Sequence, residues 1–134
     1  MDAGVQQALK LIPQGVKDPD SVITQIASIK PAFYFFSTRA WESALASGAL
    51  AHMDEEELSR FEGAYLSIKN YQDAQKSTMP NWYSAKAWFA SHHSFTSSDL
   101  VIGEEKLRSM ESSLETLQHL GGEFAGGLKE TVGN

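Results

Sequence analysis

Apolar residues recur at helical spacing along nearly the whole chain, and no stretch alternates convincingly as a strand would. Residues 2–12, DAGVQQALKLI, place Val5, Ala8, Leu9 and Ile12 on one face, and Pro13 and Gly15 are expected to end that helix. In residues 18–30, Asp18 stands as a cap with Pro19 at the first helical position, and Val22, Ile23, Ile26 and Ile29 form the stripe. Pro31 closes it, because a residue before proline is driven out of helical geometry. The run AFYFFST at 32–38 is the one β-like segment; it reads as a buried aromatic connector, with Ser37 or Thr38 capping the next helix. That helix is short, with Ala40, Trp41, Ala44 and Leu45 on its apolar side. Ser47-Gly48 is its expected end, where glycine can take the left-handed conformation, and ALAHM follows as a single turn.

Asp54 and Glu57 have capping-box spacing, and the acids of 54–57 fill a first helical turn, where the positive end of the helix dipole favours them. The helix they open is expected over 54–75, with a seam of Leu58, Phe61, Tyr65 and Ile68. The pattern lapses over 76–79 and Pro80 follows, so 81–93 is expected as a separate helix. A last long helix over 98–120 carries Leu100, Gly103, Leu107, Met110, Leu114 and Leu117, with Gly121-Gly122 as its stop. These elements predict an all-α bundle of about five or six helices around a long antiparallel pair, 54–75 with 98–120. Residues 1–120 form the expected domain and 121–134 a flexible glycine-rich tail.

The chain has 134 residues and no cysteine, which excludes disulfides, thiolate metal sites and a cysteine nucleophile. Seventeen acids against 11 bases give a net charge of −6, opposed to nucleic-acid binding, which needs clustered cations. No apolar run approaches the roughly 20 residues of a membrane span, and no secretory leader is evident at the start. The expected compartment is the cytoplasm for the chain as it stands, or an extracytoplasmic one for a domain excised from a membrane-anchored protein.

Candidate chemistry is thin. His92 and His93 are adjacent, so on a helix they point about 100° apart, unlike the i, i+3 or i, i+4 pairs that share a metal. His52 lies near Glu55 and Glu56 but is separated from them by the expected helix start. His119 and Glu115 share a helix face, for which a stabilising pair is the simpler account. No nucleophile elbow, phosphate-binding loop or dinucleotide fingerprint occurs. No catalytic, cofactor or metal residue is therefore assigned, and no cofactor is expected. The aromatic helix with Trp82, Tyr83, Trp88 and Phe89 is either buried or partly reserved for a partner. With Leu107 and Met110 on the last helix, these residues form the expected interaction surface, for self-association or a protein partner.

Residues 40–72 carry Ala40-Trp41, Ser47-Gly48, Leu50 and, near the middle of the following helix, Tyr65. This pattern resembles a segment of uncharacterised bacterial membrane-associated proteins. The resemblance implies a soluble helical domain lying beyond a transmembrane helix, which this chain lacks, and a long coiled region, and it brings no catalytic residue. The segment then reads as a structural corner, with alanines allowing close backbone approach, Trp41 filling the space beside them and Gly48 reversing the chain. The function expected is a non-enzymatic interaction or scaffold domain, possessing no site chemistry of its own. Two other classes stay open: a metal-dependent enzyme or sensor using His92 and His93, and an acidic inhibitor of another macromolecule, of the anti-defence type, presenting the acids of 54–57.

Overall fold

The computed structural model describes residues 2–31, 33–34 and 37–132, the side chains of residue 124 and of 127–132 excepted. Its elements are α1 (Ala3–Leu11), α2 (Pro19–Ser28), α3 (Arg39–Ser47), α4 (Glu55–Ala90) and α5 (Ser97–Val132), with short 3₁₀ turns at Ile12–Gln14 and Ala49–His52. No strand occurs among the described residues, and the fold is an all-α bundle built around the long antiparallel helices α4 and α5. The chain divides into two compact units. The first comprises the described residues up to 31 with 76–116; the second comprises those from 33 to 75 with 117–132.

The caps expected at Asp18 and Asp54 form, whereas Thr38, expected with Ser37 as the cap of α3, makes no side-chain cap bond and turns its hydroxyl to Glu42. The Asp2 carboxylate accepts from the Gly4 and Val5 amides at 2.8 and 3.0 Å and opens α1. Asp18 accepts from the Ser21 amide at 3.2 Å and from its hydroxyl at 2.6 Å, with Pro19 in the first turn of α2. These bonds, the hydroxyl's foremost, hold the Asp18 carboxyl below its ordinary value. Asp54 accepts from the Glu57 amide at 2.8 Å, and Gly48 ends α3 in the left-handed region at φ 73°. At the start of α5, Thr96 and Asp99 bond reciprocally: the Thr96 amide donates to Asp99 at 2.8 Å and the Asp99 amide to the Thr96 hydroxyl at 3.1 Å. This exchange, led by the Thr96 amide, also lowers the Asp99 pKa.

In the first unit, Val5, Ala8 and Ile12 meet Val22, Ile26 and Ile29 in a sealed core. The second half of α4 and the first half of α5 complete it. Thr78, Trp82, Ala85 and Phe89 are buried at alternating spacings of four and three, as are Gly103, Leu107, Met110 and Leu114. Gly103 lets the helices close together: a Cβ there would sit 3.0 Å from the Phe89 ring and 3.3 Å from Trp88. The Lys86 ammonium donates to the Ala27 and Ile29 carbonyls at 3.3 and 3.0 Å, satisfying the end of α2. Gln6 donates to Glu111, tying α1 to α5.

In the second unit, Tyr71, Gln75 and Leu117 are buried. The Gln75 side-chain oxygen accepts from the Tyr34 amide at 2.9 Å. Residues 32, 35 and 36 of the expected buried connector lie outside the described residues, and Tyr34, expected to be buried in it, is 57% exposed. Burial, the larger cause, pushes the Tyr71 phenol above its ordinary pKa, and a hydrogen bond with the Tyr34 backbone opposes it.

Two expectations about helix ends are corrected. Helix α4 does not break near Pro80; it runs unbroken to Ala90 with the proline inside it. The apparent lapse in the pattern arises because polar Gln75 and Thr78 occupy seam positions, 3% and 6% exposed. Nor does α5 stop at Gly121-Gly122, because helix continues to Val132 through the segment expected to fray. A Cβ at Gly121 would lie 3.6 Å from Tyr71, so the glycine serves close packing inside the second unit.

Candidate functional site

An open apolar surface lies in the second unit, between α3, the 3₁₀ turn after it and the first half of α4. Helix α3 is built on small residues, Ala40 and Ala44 on the side that faces α4, and Ala64 faces back from α4. Alanine side chains are too short to close the space between the two helices. What remains is a groove of about 320 Å³, within the size range of ligand sites. Its larger walls are Trp41, Leu50, Met53, Phe61, Tyr65 and Ile68. Trp41 stacks on Tyr65 with ring centroids 5.4 Å apart and planes 21° from parallel. The pair forms an aromatic floor and leaves the rest of the cleft unfilled. No residue of α3 is buried, and Phe61 is 38% exposed although its spacing marks it as a seam residue. Trp41, expected to fill the space beside the alanines, fills only part of it.

Carboxylates neighbour the groove residues along the chain, as do the bases Arg39, Arg60 and Lys69. Glu42 accepts a hydrogen bond at 3.1 Å from the hydroxyl of Thr38, itself a groove residue. Asp54 directly follows Met53, Glu57 stands one helical turn before Phe61 on the same face, and Glu62 adjoins Phe61. All four are exposed.

The sequence-predicted surface is distributed differently. Trp82, Phe89, Leu107 and Met110 are 1%, 1%, 0% and 2% exposed, members of the first unit's core and not of its surface. Tyr83 is open to solvent at 58%, and Trp88 is half-buried with Lys106 Nζ 5.7 Å from its ring centroid. His92 stacks on both Trp88 and Phe95, with centroids 4.2 and 5.4 Å away, and Nδ1–H donates to the Trp88 carbonyl at 2.6 Å. His93 points into solvent, so the two histidines do not converge. His119 lies 3.4 Å from Glu123 on the following turn, and not with Glu115. Among the described residues no three His, Asp or Glu side chains gather as a metal site would require, and no helix is long and apolar enough to cross a membrane.

Two smaller cavities lie in the first unit. One of about 210 Å³ sits between α2 and α4 under Lys86, lined by Ile23, Ala27 and Ala90. The other, about 190 Å³, is more polar, with Asn81, Ser84, Lys106 and Ser109 around Met110. Neither is lined by a carboxylate or a histidine. Comparison of the chain with protein-family models, with curated proteins and with solved structures finds no match.

Proposed function

We propose that this protein is a non-enzymatic interaction module, a soluble helical domain whose working surface is the groove between α3 and α4. One observation carries this reading: an aromatic and aliphatic cleft stands open between α3 and α4 in the second unit. Exposed aromatic and methionine side chains around a concave floor are the usual anchors of protein recognition. Phe61, exposed, and Trp41, Met53 and Tyr65, half-buried, line such a floor. The resemblance of residues 40–72 to bacterial membrane-associated proteins fits a domain that recruits a partner for a larger assembly.

Placing a photo-crosslinking amino acid at Ala40 or Phe61, and at Val101 as a control outside the groove, tests the reading in cells of the source organism. The expected result is a discrete adduct from the two groove positions and none from Val101, which is 69% exposed. Equal or absent adducts from all three positions would overturn it.

A further inference from the structure

We infer that the groove between α3 and α4 takes a basic amphipathic helix, its apolar face seated over Trp41 and Tyr65 and its cations against the flanking carboxylates. The inference rests on the interaction-module reading above and adds the chemistry of the partner. Three features select it. First, the groove is walled by two helices, and no strand occurs among the described residues to offer an edge for strand addition, so helix-in-groove is the available mode. Second, α3 has nine residues, about 13 Å at helical rise, which matches two to three turns of a partner with anchors at i, i+3 or i+4, and i+7.

Third, the segment that builds the groove carries twice as many acids as bases. Between 37 and 69 the acids are Glu42, Asp54, Glu55, Glu56, Glu57 and Glu62, and the bases Arg39, Arg60 and Lys69. Arg60 pairs with Glu56 at 3.5 Å, which leaves five acids against two bases. Such an excess attracts cationic side chains and repels an acidic helix, a phosphate backbone or an anionic bilayer. It also disfavours a second copy of this chain, which would bring the same carboxylates to the interface.

The test is a titration of the ¹⁵N-labelled full chain with synthetic helices that share one leucine face and differ in the polar face, lysine in one and glutamate in the other. The lysine helix is expected to shift resonances of 37–69 saturably, with affinity at least about tenfold above that of the glutamate helix and falling as salt rises. Ala44→Trp, which fills the cleft from an exposed helix, should abolish the shifts. The double reversal Glu42→Lys with Glu62→Lys should invert the preference. First-unit resonances report that each variant folds. Equal binding of both helices within 37–69 would overturn the charge selection and leave the groove as an interaction surface. Saturable binding of indole at the groove with none from either helix would make it a small-molecule pocket and overturn the inference. No shift in 37–69 from any probe would overturn both this inference and the interaction reading.

Discussion

In the first unit Trp82, Phe89 and Leu107 are at most 1% exposed, whereas in the second Phe61, Leu45 and Leu66 are 38%, 53% and 55% exposed. Both units pack helices bearing apolar residues at heptad-like spacing. The difference lies in what faces them. In the first, Phe89 and Trp88 close over Gly103, and α1 and α2 cover the open side with Val5, Ile12, Val22 and Ile26. In the second, the covering helix α3 offers alanines, and the cleft beneath it stays open. A heptad pattern therefore marks where a helix could be covered. Whether it is covered depends on the volume of the residues opposite.

The largest effect expected from this contrast is a difference in truncation cost. Leu107→Ala should destabilise the protein by about 3–5 kcal/mol, through lost burial and a cavity that close packing cannot collapse. Phe61→Ala should cost less than about 1.5 kcal/mol, because much of its ring is already in water. Urea denaturation of the two variants measures this, and comparable costs would break the comparison. Pro80→Ala comes next and has the opposite sign. The proline withholds one amide from the α4 ladder and crowds the Lys76 carbonyl, so alanine should stabilise by up to about 3 kcal/mol. Loss of stability would show that the proline shapes α4 in a way the packing requires.

The smallest effect concerns pH and belongs to the first unit. Asp18 and Asp99 are held below the ordinary carboxylate value of 3.8 by their cap hydrogen bonds. Protons therefore bind the unfolded chain more readily. The stabilisation these groups give is present above the unfolded pKa and lost as pH falls through the lowered folded value. Melting temperature should fall with acidification below about pH 4, and Asp18→Asn with Asp99→Asn should flatten that slope. An unchanged slope would remove these caps as its source.

Much of the fold was legible from residues. The stripes of α1 and α2, the caps at Asp18 and Asp54, the left-handed Gly48 and the seam from Gly103 to Leu117 all follow from short-range rules. The misread points share a cause: a tertiary neighbour outweighed the local signal. Gln75 looks like a surface residue until Tyr34 donates to it, and Gly121 looks like a stop until Tyr71 needs the room. The groove was harder to read, because it consists of volume that Ala40, Ala44 and Ala64 do not fill, and an unfilled volume has no letter in the sequence. The aromatic helix 81–93 drew attention for its composition, yet its largest side chains were needed for the core.

Gln75 has one further consequence. Repeating apolar seams are permissive of slippage, since a shift by one heptad brings equivalent side chains together again. A buried amide that must meet one particular backbone N–H is not interchangeable in this way. Only one alignment of the connector along α4 lets Gln75 reach Tyr34, and every other alignment leaves a buried polar group unpaired. The residue that blurred the pattern is thus an indexing pin: it fixes where along α4 the backbone at Tyr34 is fastened.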